Sequence, residues 1–206
     1  MMNKSLLSLA LACSMFAGAA SASTAPSFDY VSAGFVTEKD DEIGDRANGV
    51  AGEFSKSFYD TQWFFFSDAA YASVDTNIGV PAEITTTTVS AQLGYKFSLA
   101  ENTVAYVRAG AGYFKAEVEI GINNQGVISA SESETAYLAA AGLRYRVSPK
   151  VELDGVVSYA KASGYDSVTT AAVGAKFFVT DAFSLGAGFS FGDDVTGFKA
   201  GLSYHF

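Results

Sequence analysis

The sequence predicts an all-β fold: a single closed transmembrane barrel of ten antiparallel strands, with eight strands as the alternative. Apolar and polar residues alternate along about ten segments, which is the pattern of strands with two unlike faces. Moreover, 49% of the 206 residues are hydrophobic and only 17% are charged, whereas about 25% charged residues is usual in soluble domains. No segment after residue 23 has the roughly 20 consecutive apolar residues of a spanning helix. A sheet that spans hydrocarbon must close on itself, because lipid cannot hydrogen-bond a strand edge.

Residues 1–22 are predicted to be a cleaved secretory signal peptide. Lys4 supplies the positive start, an apolar stretch follows, and small residues precede a cleavage site between Ala22 and Ser23. The barrel domain is then residues 23–206. Cys13 would be removed with the signal, so the mature chain has no thiol. An alternative is that Cys13 is the acylated residue of a lipoprotein, although the residues before it match that motif poorly.

Ten strands follow the signal peptide in the prediction. The clearest alternation runs from Thr87 to Phe97, where one face is largely apolar and the other polar. The predicted strands are residues 28–36, 48–58, 62–74, 86–97, 103–117, 134–147, 151–161, 168–178, 183–191 and 195–206. Residues 37–47, 75–85 and 118–133 are predicted to be long polar loops at one end of the barrel. The connections at the other end are short, as in transmembrane barrels.

The alternation alone does not say which face points inward. A soluble barrel or sandwich would turn its apolar face to the interior. Here the polar face is built mainly from Gly, Ala, Ser and Thr, which suits a crowded interior better than a soluble surface. Aromatic residues lie near both ends of the apolar faces, as in the two aromatic belts at membrane interfaces. We therefore predict that the apolar faces point outward to lipid.

Five charged residues lie on the predicted inner face at middle depth. Desolvated charges need partners, so we predict an ion-pair and hydrogen-bond network inside the barrel. Its members are Glu53, Asp68, Arg108, Arg144 and Asp154. Such a network could control ion passage, or it could plug a small barrel and keep it rigid. We favour the plug, because barrels near eight strands are filled by their own side chains.

The chain ends in Gly201-Leu202-Ser203-Tyr204-His205-Phe206, with Leu202, Tyr204 and Phe206 on one face. This ending resembles the C-terminal signal by which the barrel-assembly machinery recognises Gram-negative outer-membrane barrels. The segments 28–35, 93–97 and 191–194 are also similar to those of OmpA/OmpX-type barrel proteins. The resemblance implies an outer-membrane location, the assembly machinery as a partner during biogenesis, and a role in adhesion or envelope integrity.

The sequence predicts neither an enzyme nor a cofactor site. Barrel proteases and lipid A hydrolases need a histidine near the outer surface, but the only histidine, His205, belongs to the end of the last strand. The acidic segment 38–46 matches no metal-binding pattern. The formal charge of -9 argues against nucleic acid as a partner.

We expect a monomer that contacts membrane lipid and lipopolysaccharide and has an unidentified surface partner. The alternatives are a narrow passive pore for small solutes and a soluble periplasmic β-protein that binds an apolar ligand.

Overall fold

The computed structural model describes residues 25–40, 45–77, 80–122, 126–192 and 195–206. In these residues it contains ten strands, each antiparallel to its neighbours, and β1 pairs with β10 to close the barrel. The strands are β1 Tyr30–Asp40, β2 Arg46–Ser57, β3 Trp63–Asn77, β4 Pro81–Ala100, β5 Thr103–Ile122, β6 Gly126–Ser148, β7 Val151–Ala162, β8 Val168–Phe178, β9 Phe183–Gly192 and β10 Val195–His205. The prediction of ten strands is confirmed and the eight-strand alternative is wrong. The signal peptide, its cleavage site and residues 41–44 of the acidic segment lie outside the described residues.

The two faces of the strands point as predicted. In β4, Leu93 is 47% exposed on the outer surface, whereas the side chain of the adjacent Gln92 faces inward and is 7% exposed. The same alternation of exposed and buried residues recurs along β7 and β8. The alternative of a soluble β-protein with an apolar interior is therefore wrong, because the apolar faces are on the outside. None of the described residues forms a helix long and apolar enough to cross a membrane.

The strands differ in length. Strands β1, β2 and β7–β10 have 10 to 12 residues, while β3, β4, β5 and β6 have 15, 20, 20 and 23. The four long strands extend past the barrel rim as one sheet, which we call the projecting sheet: residues 74–77, 81–86, 115–122 and 126–135. At the opposite end, which we call the short-turn end, brief connections join the strands.

The predicted loops at 75–85 and 118–133 are therefore wrong for most of their length. Ala82 pairs with Ile120, and Ile120 in turn pairs with Ile128. These residues alternate with Glu and Ser, so the segment has one water-facing side and still satisfies its backbone groups in a ladder. Its polar composition reflects that water-facing side, and not the absence of strands. Residues 37–40 and 46–47 of the first predicted loop likewise belong to β1 and β2.

Aromatic rings form an outward-facing belt at the short-turn end. Trp63 packs on Tyr95 with ring centroids 5.0 Å apart, and Tyr95 on Phe97 at 5.0 Å. On the other side of the barrel, Tyr204 packs on Phe183 at 5.2 Å and lies 6.2 Å from Phe206. The Trp63–Tyr95 and Phe183–Tyr204 contacts join neighbouring strands, and the other two each lie along one strand. Edge-to-face or tilted ring pairs of this kind stabilise a sheet beyond their buried area.

Candidate functional site in the barrel interior and the projecting sheet

All five charged residues predicted for the interior face inward and are buried. They come from β2, β3, β5, β6 and β7, and each is the fourth to sixth residue from the short-turn end of its strand. They are Glu53, Asp68, Arg108, Arg144 and Asp154. The sequence of β3 is apolar on both faces, so it does not show which face points inward. The burial of Asp68 identifies the inward face.

The carboxylate of Glu53 forms an ion pair with the ammonium group of Lys199, and the two side chains are only 1% and 8% exposed. Its second oxygen accepts a hydrogen bond from Ser32 at 3.4 Å. The register places Asp68 directly opposite Glu53 on the next strand, where Asp68 accepts a hydrogen bond from the hydroxyl of Ser90. Lys199 is thus a member of this site that the predicted network lacked. Its place on the polar face of the last strand was the available signal.

The two central arginines lie against aromatic rings. The guanidinium carbon of Arg108 is 3.9 Å from the ring centroid of Phe66. That of Arg144 is 4.1 Å from the ring centroid of Phe28, and its Nη1 donates to the carbonyl of Ser27 at 3.1 Å. Desolvated cation–π contacts of this kind contribute about 2 kcal/mol. Arg144 also lies opposite Asp154 in the β6–β7 register.

The segment Ala25–Asp29, which precedes β1, turns into the barrel at the short-turn end. Phe28 is 2% exposed and packs on Phe64 and Tyr106 at centroid distances of 4.7 and 5.6 Å. Asp29 accepts a hydrogen bond from the backbone N–H of Ser57 at 2.6 Å. The predicted first strand begins at Phe28, whereas β1 begins at Tyr30.

Glycines opposite Phe64 and Tyr106 make room for these rings. A Cβ at Gly94 would lie 2.2 Å from Phe64, and a Cβ at Gly142 would lie 2.3 Å from Tyr106. Both distances are much shorter than a van der Waals contact, so only glycine fits at these positions while the rings stay where they are. The rings can therefore lie flat against the barrel wall.

A second buried charged group lies nearer the short-turn end, formed by Arg146, Glu152 and Lys176. His205 is also inside the barrel, where its Nε2 lies 2.8 Å from the hydroxyl of Ser184. Its ring is 5.3 Å from that of Phe178. Among the described residues, no group of three or more His, Cys, Asp or Glu is placed to hold a metal ion.

A cavity of about 30 Å³ lies beside the central charges. Its charged lining comes from Glu53, Asp154, Lys176 and Lys199, and one wall is formed by the glycines of β9 and β10. A cavity of this volume has room for about one or two water molecules.

The projecting sheet has an open edge. Residues 126–135 of β6 pair with β5 on one side, but the pairing of β6 with β7 begins only at Ala136 and Ala162. Within the described residues, no strand covers the other side of this ten-residue stretch. Tyr165, in the loop after β7, contacts it through a 2.7 Å hydrogen bond from its hydroxyl to Glu132.

The outer face of the projecting sheet is acidic. Asp75, Glu83 and Glu119 lie directly opposite one another on three neighbouring strands. Nearby, Lys115 forms a 2.8 Å ion pair with Glu117, and this hydrogen bond raises the pKa of Lys115. Adjacent like charges weaken a sheet, so this face is suited to water and cations.

The C-terminal residues predicted as an assembly signal all point outward. Leu202, Tyr204 and Phe206 are about half-exposed on the outer surface of β10. The backbone N–H of Phe206 donates to the carbonyl of Asp29 at 3.3 Å. The chain end is therefore part of the closing seam between β10 and β1.

A family model described as outer membrane protein beta-barrel domain matches residues 6–206 of the chain. Among solved structures, the β domain of the Bordetella autotransporter BrkA is 12% identical, with 86% of this chain and 99% of that chain covered and a TM-score of 0.52.

Ail, the attachment invasion locus protein of Yersinia pestis, is 20% identical. The match covers 86% of this chain and 97% of Ail, with a TM-score of 0.45. Neisserial surface protein A is 17% identical. The match covers 87% of this chain and 98% of that protein, with a TM-score of 0.41. At such identities a likeness concerns the fold alone. No curated protein sequence matches the chain.

Proposed function

The chain belongs to the family of outer membrane protein β-barrel domains, and on that basis we propose that it is a non-enzymatic surface-interaction protein whose lumen is plugged by its own side chains. Its location is the outer membrane of a Gram-negative bacterium. In this fold the short turns face the periplasm and the longer hairpins face the outside. The projecting sheet is therefore on the cell surface.

The observation that carries the proposal is the open edge of β6. On the side away from β5, residues 126–135 pair with no strand in the described part of the chain, and Tyr165 contacts this side at Glu132. Soluble proteins usually protect such an edge with Lys, Pro or a covering loop, because it pairs readily with a foreign strand. The edge here has no Lys or Pro, and its only charged residues are Glu132 and Glu134. An extended segment of a partner protein can add to it as a further strand.

The burial of the interior supports the plug. Rings from Phe28, Phe64 and Tyr106 occupy the periplasmic half. The buried ion pair of Glu53 and Lys199 spans β1 on the inner wall, since these residues lie on the two strands that flank it. We propose that the five predicted interior charges, together with Lys199, form the network that keeps this packing in place. A catalytic role has little support, since His205 lies in the interior at the periplasmic end.

A narrow passive pore is the second candidate, favoured by the cavity beside the charged groups of Glu53, Asp154, Lys176 and Lys199. Planar-bilayer recording of the purified protein separates the two. The plug predicts no steady conductance, and a stable open channel would contradict it.

Surface interaction is tested by shortening the projecting sheet. Replacing residues 118–130 by Asn-Gly joins Glu117 to Ser131, which already form a cross-strand pair, through a favoured two-residue turn. Bacteria that display this variant should lose adhesion to epithelial monolayers or to each other, compared with bacteria that display the natural chain.

The matched control changes Ser129, Ser131 and Ser133 to Ala, which removes hydroxyl groups but keeps the backbone edge. This control should adhere like the natural protein. Unchanged adhesion by the shortened variant, with normal heat-modifiable migration on gels, would contradict the proposed role.

We also propose that the protein is a monomer surrounded by lipid and lipopolysaccharide, with the acidic outer face of its projecting sheet bridged to lipopolysaccharide by divalent cations. The outward Leu202, Tyr204 and Phe206 would be recognised by the barrel-assembly machinery during insertion. Replacing Phe206 by Ser should then reduce the amount of folded protein in the membrane fraction of cells, while the purified variant still refolds in detergent.

A further inference from the structure

We infer that the periplasmic mouth of the barrel is a peptide-binding pocket, and that its own segment Ala25–Asp29 is the resident ligand. The ligand class is a short extended peptide in which an aromatic residue precedes a carboxylate. This inference concerns the periplasmic end of the molecule and does not depend on the proposed surface role.

The ring of Phe28 is held on several sides. The ring centroids of Phe64 and Tyr106 lie 4.7 and 5.6 Å from that of Phe28. The guanidinium carbon of Arg144 lies 4.1 Å from its centroid, and the ammonium nitrogen of Lys96 lies 5.3 Å from it. Aromatic side chains with cations near their rings form the kind of pocket that holds an aromatic group specifically.

The backbone and the carboxylate on either side of this ring are also bound by the barrel. Arg144 donates to the carbonyl of Ser27 at 3.1 Å. The carboxylate of Asp29 accepts from the N–H of Ser57 at 2.6 Å and pairs with Lys56 at 3.1 Å. The pocket therefore recognises three features of the segment: a ring, a backbone carbonyl and a negative charge.

The pocket is also shaped by residues that do not touch the segment. Gly94 and Gly142 leave the space in which Phe64 and Tyr106 lie flat, since a Cβ at either position would overlap these rings. The floor of the pocket is thus built by β3–β6, far along the chain from the segment that fills it. A site formed in this way can bind its ligand as a separate molecule.

The experiment separates the ligand from the pocket. In the linker variant, Gly-Gly-Ser-Gly-Gly replaces residues 25–29 of the full chain. A fluorescent, end-blocked peptide with the sequence Ala-Pro-Ser-Phe-Asp is then titrated into the refolded protein in detergent.

We expect saturable binding to the linker variant and none to the intact chain, because the tethered segment competes at an effective concentration in the millimolar range. A peptide with Ala in place of Phe should bind at least about 100-fold more weakly, because loss of a buried phenyl ring costs more than the two factors of ten that this represents. Absence of binding to the folded linker variant at millimolar peptide, or equal binding of both peptides, would overturn the inference.

A second measurement decides the matter if the linker variant does not fold. Pro26, in the same segment, is buried, and its replacement leaves the ring of Phe28 in place. Pro26→Cys and Thr61→Cys are made separately in the chain with Cys13 changed to Ser, and each is treated with a water-soluble maleimide. Thr61 lies in an exposed turn, so its replacement should react rapidly. We expect the cysteine at position 26 to react at least about tenfold more slowly, since it is shielded when the segment is docked. Equal rates would show that the segment does not occupy the pocket.

Discussion

Replacing Lys199 by Met should destabilise the barrel strongly, because it leaves the carboxylate of Glu53 buried without its partner. The two side chains are 8% and 1% exposed, and breaking a buried pair by removing one member costs about 3–5 kcal/mol. Asp68 lies opposite Glu53 in the register, so the variant would also leave two carboxylates side by side. We expect the free energy of unfolding to fall by about 3–5 kcal/mol. The double variant Glu53→Gln with Lys199→Met removes both charges and should recover most of this loss.

The assay is urea unfolding of protein refolded into phospholipid vesicles, followed through the fluorescence of Trp63, the single tryptophan of the chain. Lys115→Met is the matched control. This lysine is exposed on the projecting sheet and pairs with Glu117, so its loss should leave the unfolding midpoint unchanged. A midpoint for Lys199→Met equal to that of the natural protein would refute the reasoning. A double variant less stable than Lys199→Met would do so as well.

Three further substitutions test other parts of the structure in the same assay. Gly142→Leu should lower the free energy of unfolding by about 1–3 kcal/mol or more, because the new side chain overlaps Tyr106. The control Gly155→Ala should change it by no more than about 0.5 kcal/mol, since a Cβ there would lie 3.9 Å from its nearest neighbour. Equal effects of the two substitutions would contradict the packing. Leu93→Arg places a charge in the lipid-facing band and should lower the free energy of unfolding by about 2–4 kcal/mol. Leu99→Arg, beside a turn, should lower it by only about 0–1 kcal/mol. The reverse order would count against the proposed position of the membrane. Arg108→Ala should lose about 2 kcal/mol with its contact to the ring of Phe66, and an unchanged midpoint would show that the contact contributes nothing.

The strands and their two faces could be predicted because alternation is a local property. Each strand has an outward apolar side in lipid and an inward side of small and charged residues, so neighbouring residues already reveal the orientation. The prediction failed at 75–85 and 118–133, where the sheet leaves the membrane. There the outer face carries Glu83 and Glu119 in place of apolar residues, and the polar composition resembled that of a loop.

The interior could be predicted only in part. Glu53 and Arg144 were placed on the inner face correctly, but the partner of Glu53 is Lys199, which is 146 residues away. That contact depends on closure of β1 with β10 and on the register of the whole barrel, which alternation does not determine. The ring cluster was also missed. Phe64 and Phe66 make β3 apolar on both faces, and Phe28 enters the lumen from outside the sheet.

The central claim is that apolar side chains face lipid while the charged ones fill the interior. It can be tested on the natural chain with a phospholipid that carries a diazirine on its acyl chain. After photolysis in vesicles, mass spectrometry should find adducts on Leu93, Leu143 and Leu185, and none on Gln92 or Arg144. Adducts on Gln92 and Arg144, with the three leucines unlabelled, would contradict the structure and the function proposed from it.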